Sequence, residues 1–350
     1  MKTGAVSGGT SDSFVIEPSA PVAILGAGSW GTALASVLQH SGPIRLWARD
    51  RTLADRIRTD GENARYLPGI PLPDRLTVTH DLASALADAA VVVFAVPSSG
   101  MAEVAGRAAP LLDAGALIVS AAKGIEEESG QRMSEIIARE CTNLDPDRIV
   151  ALSGPNLAME VARGLPTATV CASATQACAE ACRRLWMGPS LRVYTSADIV
   201  GVELAGAMKN VIAIGAGVCE GMGYGDNSRA ALMTRGLAEI TRLGTRLGAE
   251  QATFLGLAGV GDLIATGGSR LSRNYRVGLG LGRGKSLETI LAEIGQVAEG
   301  VPTTRAMCRL AEMTGTDMPV SQAIHAVLFE GAPVIATIDA LMRRPPRDER

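Results

Sequence analysis

The sequence predicts an α/β protein in which a doubly wound, mostly parallel sheet is followed by an all-α C-terminal domain. Near-continuous aliphatic strands alternate with helical patterns as far as residue 196, which is typical of a parallel sheet covered on both faces. A G-x-G-x-x-G motif lies between the first strand and the first helix. After residue 198 the apolar periodicity is helical, with no convincing strand.

Length and composition agree with two domains. The chain has 350 residues, of which 47% are hydrophobic, so it can fill more than one core. We expect a dinucleotide-binding domain at 21–196 and a helical substrate domain at 197–343. The Gly-, Ser- and Thr-rich segment 1–20 is expected to be a flexible tail, and 344–350 a charged tail.

The first strand and helix carry a dinucleotide fingerprint. Residues 22–28 (VAILGAG) are predicted to be a buried strand, and a helical pattern follows from residue 32 to residue 40. Gly26, Gly28 and Gly31 allow a tight turn, close approach of the backbone to a pyrophosphate, and close packing of helix on strand. The pattern predicts a Rossmann-type domain with the pyrophosphate at the helix N-terminus.

The second strand, residues 44–48, ends where cofactor choice is usually made. Asp50 could accept hydrogen bonds from the ribose hydroxyls of NAD. Arg49 and Arg51 could instead pair with the 2′-phosphate of NADP, for which the arginine fork is well suited. The sequence favours NADP and leaves NAD open.

Further strands present ligand candidates at their carboxyl ends, where such sheets bind ligands. Lys123 follows one strand end, and Gly154 and Asn156 follow another. The alternative for Lys123 is an exposed loop lysine. The strands are predicted at 76–79, 91–97, 116–121, 148–152, 167–172 and 191–194, with helices at 81–89, from Ser98 onward and at 176–185.

The second half of the chain is predicted to be helical around one long loop. The glycine-rich stretch 255–285 is predicted to be that loop, and loops of such length are usually functional. It contains Asp262 in an apolar setting and the donors Ser272, Arg273 and Asn274, which suit a phosphate or a cofactor amide. The helices are expected at 198–221, 228–248, 286–295, 302–315 and 319–343.

Lys209 is the strongest catalytic candidate in the sequence. It lies in the apolar run 200–217, which also carries Glu203 and Asn210. Burial disfavours the charged form of a lysine and lowers its pKa towards the range for proton transfer at neutral pH. The alternative is a lysine that reaches solvent along the surface of the helix.

Composition argues against several classes of function. The net charge of −3 and the 3% of aromatic residues give no footprint for nucleic acid or an anionic membrane. Lys209 interrupts the longest apolar run and Glu220 ends it, so we expect no membrane-spanning helix and a soluble protein. The six cysteines lack CxxC spacing and the histidines are isolated, so we expect neither a disulfide framework nor a metal site.

Seven segments of the chain, spread over about residues 22–340, resemble the bacterial-type NAD(P)-dependent glycerol-3-phosphate dehydrogenases. They stand in the family's order: GAGSWGTALA, ENARYLPG, SAAKGIE, SGPNLAMEVARGLPTA, ELAGAMKNVIAIGAG, AGVGDLIATGGSRLSRNYRVG and VAEGVPTT. The resemblance implies a Rossmann domain and an all-helical domain. It also implies reversible reduction of dihydroxyacetone phosphate to sn-glycerol 3-phosphate with NADPH or NADH, for phospholipid synthesis, in a cytoplasmic homodimer.

The resemblance further implies the residues of the site. Lys209 would give or take the proton. The chemistry of carbonyl reduction, rather than the resemblance, assigns support of the developing oxyanion to Lys123 and orientation of the two lysines to Asp262, so no metal is expected. Asn156 departs from the family, in which serine is commoner. The implied substrate contacts are Lys123, Gly154, Asn156, Lys209, Asp262, Ser272, Arg273 and Asn274, and the implied dinucleotide contacts are Gly26, Gly28, Ser29, Trp30, Gly31, Arg49, Tyr66, Lys123, Ala158, Arg273, Val297 and Glu299.

Two other functions remain open at this point. A related β-hydroxyacid or sugar-acid dehydrogenase would share the fingerprint and a helix lysine, but it would not be expected to carry Ser272, Arg273 and Asn274 after Asp262. A non-enzymatic NADP sensor could lose Lys123, Lys209 or Asp262 without consequence, and all three are present. Assays with dihydroxyacetone phosphate and each reduced cofactor distinguish these functions.

Overall fold

The computed structural model describes residues 14–345 and residue 348. Eight strands form one sheet in the order β3-β2-β1-β4-β5-β6-β7-β8, and every neighbouring pair is parallel except β6 and β7. The strands are β1 (Val22–Leu25), β2 (Ile44–Trp47), β3 (Leu76–Thr79), β4 (Val91–Phe94), β5 (Leu117–Ser120), β6 (Ile149–Ser153), β7 (Thr167–Ala172) and β8 (Leu191–Ser196). The strand order reverses between β1 and β4, which opens a crevice at their carboxyl ends.

Helices cover both faces of this sheet. Val22 and Ile24 of β1 belong to one buried apolar cluster, and Ala23 and Leu25 belong to another on the opposite face. The doubly wound, mostly parallel sheet is therefore confirmed. The helices of this half are α1 (Ser29–Val37), α2 (Arg51–Asp60), α3 (Leu82–Leu86), α4 (Met101–Ala108), α5 (Met133–Glu140), α6 (Ala158–Ala162) and α7 (Gln176–Trp186).

After β8, the described residues form helices only, which confirms the all-α second part. Helix α8 (Ile199–Gly221) is central and packs against α9, α11, α12, α14 and strand β6. The helices that follow it are α9 (Asp226–Arg246), α10 (Gln251–Phe254), α11 (Asp262–Gly267), α12 (Arg273–Gly282), α13 (Leu287–Ile294), α14 (Gly300–Thr314), α15 (Pro319–Phe329) and α16 (Val334–Met342).

The prediction of a long loop at 255–285 was wrong. The stretch holds a π-helical turn at Leu257–Gly261 and the helices α11 and α12. Its glycines serve helix packing: a Cβ on Gly278 would lie 1.8 Å from the carbonyl oxygen of Ile214 in α8. Close contact between the α8 and α12 backbones therefore requires glycine at this crossing. In the sequence alone, the same glycines are typical of a loop.

Two other helix predictions need correction. The single helix expected at 319–343 is divided into α15 and α16 by a turn in which Gly331 has a φ of +68°. Helix α8 is long and apolar enough, by length and composition, to cross a membrane, so the expectation that Lys209 and Glu220 keep this apolar run too short to span one was wrong. Its most apolar window is 89% buried inside the protein, where it forms the core of the helical half.

Two described residues near the start of the chain pack on the sheet domain. Residues 1–13 lie outside the described residues, so the expectation of flexibility at 1–20 stays a prediction for them. Phe14 and Ile16 are partly buried against the sheet domain, and the guanidinium of Arg148 lies 5.0 Å from the Phe14 ring centroid. The prediction does not hold for these two residues, because their apolar side chains pack against the buried cluster of the sheet domain although the segment around them is polar.

The C-terminal segment 344–350 was expected to be a charged tail. Residues 346, 347, 349 and 350 lie outside the described residues. Arg344 forms an ion pair of 3.0 Å with Asp317, so the segment is held to the protein at its beginning.

Candidate active site

The three fingerprint glycines occupy the turn between β1 and α1. Gly26 has a φ of +119°, and a Cβ there would lie 2.7 Å from the carbonyl oxygen of Ala95. A Cβ on Gly31 would lie 2.0 Å from the carbonyl oxygen of Gly26, whereas a Cβ on Gly28 would meet nothing within 4 Å. Gly26 and Gly31 are therefore required by packing, and Gly28 faces open space that a ligand backbone can enter.

The N-terminus of α1 faces the same space. Gly28 is its N-cap and supplies no side-chain acceptor, so the first N–H groups of the helix can bind an anion. Trp30 packs with Ala158 against a small buried cluster, and its Nε1 is buried with no hydrogen-bond partner within the part of the chain described. An unpaired buried donor beside an open helix N-terminus fits a dinucleotide at this position.

Asn63 holds this turn in place. It is fully buried, and its Nδ2 donates to the carbonyl oxygen of Ala27 and to Oγ1 of Thr32, both at 2.9 Å. Its Oδ1 accepts from the backbone N–H of Tyr66 at 3.3 Å. One amide side chain therefore connects the fingerprint turn to the segment that carries the predicted dinucleotide contact Tyr66.

The end of β2 offers free positive charge. Arg49 and Arg51 expose 73% and 76% of their side chains, and their nearest carboxylates lie 4.0 and 3.9 Å away. Asp50 caps helix α2, because its Oδ1 accepts from the backbone N–H of Thr52 at 2.8 Å. One oxygen of this carboxylate is therefore engaged by the protein. Both guanidinium groups are exposed and have only long ion pairs, so they can reach a phosphate.

Residues distant in sequence meet around Asp262 at the other part of the site. Lys123 donates to Asp262 Oδ2 at 2.8 Å, and Lys209 donates to Asp262 Oδ1 at 2.9 Å. Lys123 also donates to the carbonyl oxygen of Gly154 at 2.9 Å, and Lys209 also donates to Oγ1 of Thr266. We call these two lysines, Asp262 and Thr266 the lysine cluster.

The positions of these residues follow from the fold. Lys123 and Gly154 follow β5 and β6, so they lie at the same edge of the sheet as the fingerprint turn. Lys209 lies in the middle of α8, and Asp262 and Thr266 are one turn apart on α11. The packing of α11 on α8 therefore brings the carboxylate to the two lysines.

Burial and charge together set the proton affinities in the lysine cluster. The side chains of Lys209 and Asp262 are 5% and 3% exposed, and that of Lys123 is 16% exposed. Burial lowers the pKa of Lys209 to about 8, the charge of Asp262 opposes this, and the charge of Lys123 adds to it. Burial also raises the pKa of Asp262, but the two lysines outweigh it and the net pKa lies below the usual value.

Three predicted contacts lie at the start of α12. Ser272 is its N-cap and accepts from the backbone N–H of Tyr275. Asn274 donates to Oδ1 of Asn210 and accepts from the backbone N–H of Gly300, both at 2.8 Å. Both groups of the Asn274 amide thus bind other parts of the protein and connect helices α8, α12 and α14. Asn274, which was predicted to bind substrate, therefore has a structural role.

Arg273 is the free cation next to these residues. Its side chain makes no hydrogen bond or ion pair within residues 14–345 and 348. Burial lowers its pKa, and the charge of Glu299 partly opposes that effect. Its charge also contributes to the lowered pKa of Lys209. A partly buried guanidinium without a partner is suited to an anionic ligand.

Glu299 connects the two halves of the protein. One of its carboxylate oxygens accepts from the backbone N–H of Ser98 at 3.0 Å, and the other accepts from the Ser98 hydroxyl. Burial raises the pKa of Glu299. Val297, the neighbouring predicted contact, is 40% exposed. The structure therefore places Glu299 at the crevice, bound to the loop after β4.

Asn156 presents an unpaired acceptor near the lysine cluster. Its Nδ2 donates to Oγ1 of Thr169 at 2.9 Å, while its Oδ1 is buried without a hydrogen-bond partner among the described residues. The side chain lies two residues after Gly154, whose carbonyl oxygen binds Lys123. Its unpaired oxygen is suited to a ligand hydroxyl or amide hydrogen.

Two residues of the site were missing from the predicted set. Thr266 binds Lys209 and lies four residues after Asp262, so the one-turn spacing was the signal that could have found it. Asn210 stands beside Lys209 and is unusual in an apolar run, but its partner Asn274 could not be identified before α12 was known to pack on α8.

Comparison with known proteins gives consistent matches. The sequence model described as NAD-dependent glycerol-3-phosphate dehydrogenase N-terminus matches residues 21–179, and the one described as its C-terminus matches residues 198–339. The chain is 51% identical to the glycerol-3-phosphate dehydrogenase (NAD(P)+) of Pelotomaculum thermopropionicum over 93% of this chain and 94% of that protein.

Solved structures of the same description also match. The glycerol-3-phosphate dehydrogenase of Coxiella burnetii superposes with a TM-score of 0.90 at 38% identity, covering 94% of this chain and 100% of that chain. The glycerol-3-phosphate dehydrogenase of Saccharomyces cerevisiae superposes with a TM-score of 0.78 at 28% identity, covering 92% and 99%.

Proposed function

The chain belongs to the NAD-dependent glycerol-3-phosphate dehydrogenase family, and we propose that it reduces dihydroxyacetone phosphate reversibly to sn-glycerol 3-phosphate with NADPH or NADH, with the substrate bound at the lysine cluster. It is an NAD(P)-dependent oxidoreductase that acts on a small-molecule substrate. Lys209 is the proton donor in reduction and the acceptor in oxidation, Lys123 stabilises the oxyanion, and Asp262 holds both lysines in place.

One observation carries this assignment. Lys123 and Lys209 share the two oxygens of one buried carboxylate, and each has one further protein acceptor. An ammonium has three N–H donors, so each lysine keeps one donor for a ligand. Two positive charges against one negative charge leave the cluster with a net positive charge, which suits an anionic substrate and a developing oxyanion.

The proton step follows from the pKa of Lys209. A group whose pKa is about 8 can both give and take a proton near neutral pH. Thr266 and Asp262 occupy two of its donors and so orient the third. As negative charge grows on the substrate oxygen during reduction, Lys209 releases its proton to that oxygen while the charge of Lys123 stabilises it.

The nicotinamide dinucleotide supplies the hydride when it is bound. The open space over Gly28, the free N-terminus of α1 and the unpaired Trp30 Nε1 fit its pyrophosphate end. Arg49 and Arg51 are exposed and can meet a 2′-phosphate, while Oδ1 of Asp50 is engaged as a helix cap. These contacts support a preference for NADPH over NADH.

Arg273 and Asn156 are the proposed contacts for the rest of the substrate. Arg273 has charge without a partner and suits the phosphate group, and the unpaired Oδ1 of Asn156 suits the free hydroxyl. Ser272, Gly154 and Asn274 shape this region through their positions at the helix start and strand end.

A cellular role is proposed on the same basis. The family assignment supports a cytoplasmic homodimer that supplies glycerol phosphate for membrane phospholipids. Light scattering of the purified protein tests the dimer, since a monomer at micromolar concentration would contradict it.

Absorbance of the reduced cofactor tests the reaction. We expect oxidation of NADPH and NADH that depends on dihydroxyacetone phosphate, and no comparable oxidation with a 2-oxo acid of similar size, because the positive cluster and Arg273 call for a phosphate. Turnover of the 2-oxo acid without turnover of dihydroxyacetone phosphate would overturn the proposed function.

A further inference from the structure

Glu203 is a buried carboxylate that the proposed mechanism does not use. It lies on α8, and its side chain is 4% exposed. Its oxygens accept from Arg132 at 2.6 Å, from the backbone N–H of Ser134 at 2.8 Å and from the Ser134 hydroxyl at 2.5 Å. All three donors belong to the start of α5, so this carboxylate joins the helical half to the sheet half.

The segment that Glu203 holds is continuous with Lys123. Residues 123–132 leave the end of β5 and return to the start of α5 as a closed turn. A bridge between Ile125 and Arg132 closes that turn, and the backbone N–H of Glu126 donates to the carbonyl oxygen of Gln131 at 2.9 Å. Arg132 therefore makes two contacts: its backbone closes the turn by the bridge to Ile125, and its side chain binds Glu203 of α8.

The same helix carries the other lysine. Lys209 lies six residues after Glu203 on α8, which is about 9 Å along a helix axis at 1.5 Å per residue. The turn at 123–132 and helix α8 are therefore joined at two places: through Asp262 at the lysines themselves, and through the ion pair of Arg132 and Glu203.

We propose that Glu203 is a positioning residue that, through Arg132 and Ser134, fixes the turn carrying Lys123 against the helix carrying Lys209. This rests on the proposed function, in which both lysines act on one substrate oxygen. Asp262, together with the carbonyl oxygen of Gly154 and the hydroxyl of Thr266, holds the two lysines only by their ammonium groups, at the tips of long side chains. The contact at Glu203 instead holds the backbone of the turn against the backbone of α8. The Cα positions of Lys123 and Lys209 are therefore fixed relative to each other.

A matched control exists within the chain. Glu239 on α9 is also a buried glutamate that caps a helix of another segment: it accepts from the backbone N–H groups of Val320 and Ser321 and from the Ser321 hydroxyl. Burial raises the pKa of both glutamates. The two therefore resemble each other in burial and capping, but only Glu203 is connected to a lysine-bearing turn.

The experiment compares Glu203→Ala, Glu203→Gln, Arg132→Met and Glu239→Ala in the full-length enzyme, at a temperature where circular dichroism shows each to be folded. We expect kcat of Glu203→Ala to fall on the order of 10- to 100-fold, because a misplacement of about 1 Å caused far from the chemistry costs roughly that much. The KM for dinucleotide should stay near the wild-type value. Glu203→Gln keeps an acceptor for Ser134 and Arg132, so it should recover most of the rate, and Glu239→Ala should keep it.

Hydrogen exchange gives a readout that does not depend on turnover. Amide exchange in residues 123–132 should be faster in Glu203→Ala and Arg132→Met than in the wild type, and unchanged in Glu239→Ala. If Glu203→Ala does not fold, Arg132→Met carries the same expectation.

The outcomes separate the two hypotheses. Variants at 203 and 132 that turn over as fast as Glu239→Ala, with unchanged exchange at 123–132, would overturn the positioning role. A kcat loss shared equally by Glu239→Ala would also overturn it, since helix capping would then explain the effect. A wild type that does not reduce dihydroxyacetone phosphate would overturn the proposed function, while the exchange comparison would still decide the positioning role.

Discussion

The fingerprint turn and the lysine cluster are built in opposite ways. Within the turn, Gly26, Gly28 and Gly31 are neighbours in sequence, and they act through the absence of side chains and through backbone N–H groups. In the lysine cluster, Lys123, Lys209 and Asp262 come from a strand end and two separate helices, and they act through charge. The difference suggests that dinucleotide affinity and the rate of proton transfer depend on separate sets of residues, which substitutions can test.

The largest expected effect is on rate, at Lys209. Lys209→Met keeps the length and the apolar stem of the side chain but removes the ammonium, so kcat should fall about 10²- to 10⁴-fold. The dissociation constant for the dinucleotide, measured by fluorescence titration, should change little. Lys285→Met is the control, because Lys285 is an exposed lysine paired with Glu293, and it should keep full activity.

A Lys209→Met enzyme with normal activity would contradict the assignment of proton transfer to Lys209. Lys123 would then be the only lysine left to donate the proton, and the low pKa of Lys209 would be a result of burial without a role in the reaction.

The next effect is on affinity, at the end of β2. Replacing Arg49 and Arg51 by serine should raise the KM for NADPH by about tenfold or more and leave the KM for NADH nearly unchanged. The reason is that removing one charge-assisted hydrogen bond to the 2′-phosphate costs roughly 1.5 to 3 kcal/mol of binding free energy. The double variant Arg56→Ser, Arg58→Ser removes two exposed arginines from α2 and serves as the control for net charge. An equal loss with both cofactors would show that the two arginines do not read the 2′-phosphate.

A third prediction concerns pH. Because the pKa of Lys209 is lowered to about 8, kcat/KM for reduction should decline as pH rises through about 8, since the protonated lysine is required. In oxidation the neutral lysine is required, so kcat/KM should rise through the same pH. Stopped assays from about pH 6 to about pH 10 measure both, with the slope approaching about tenfold per pH unit on the limiting side.

Lys123 provides the control for that assignment. Its charge contributes to the lowered pKa of Lys209, so Lys123→Met should move the apparent pKa of the residual activity upward. Profiles that keep the same midpoint without Lys123 would indicate that another group titrates.

The smallest expected effect is at Asn63, which braces the fingerprint turn without facing the substrate. Asn63→Ala leaves the carbonyl oxygen of Ala27 and the hydroxyl of Thr32 without their donor. The free energy of unfolding should fall by about 1 to 3 kcal/mol, and the KM for both dinucleotides should rise several-fold at nearly constant kcat. A kcat loss at unchanged KM would place Asn63 with the lysine cluster instead.

The sequence was sufficient for the features that depend on local pattern. The aliphatic strands, the fingerprint glycines and the switch to helical periodicity each occupy a few consecutive residues, and the eight-stranded sheet and the helical half are confirmed. The burial of Lys209 could be predicted for the same reason, since an apolar run surrounds it.

Features that depend on packing could not be predicted. The glycines of residues 255–285 were interpreted as loop residues. A sequence pattern does not distinguish a glycine that allows two helices to pack closely from a glycine that allows a turn. By its position in the sequence Asp50 could be a ribose contact, and the pattern did not show that one of its carboxylate oxygens caps the start of α2. The partner of Glu203 was hidden because Arg132 lies in the other domain, far away in the sequence.

Helix α8 has a composition that would suit a lipid bilayer, and this matters while the chain is being made. Helix α12 follows α8 by about 50 residues, so at roughly 5 to 20 residues per second the face of α8 that α12 covers stays exposed for about 3 to 10 seconds after α8 is made. A lysine at the centre of such a helix adds about 2.5 to 3.5 kcal/mol to the free energy of membrane insertion. Lys209 therefore also disfavours insertion of the nascent helix into a bilayer, so that α8 stays in water until the later helices pack on it.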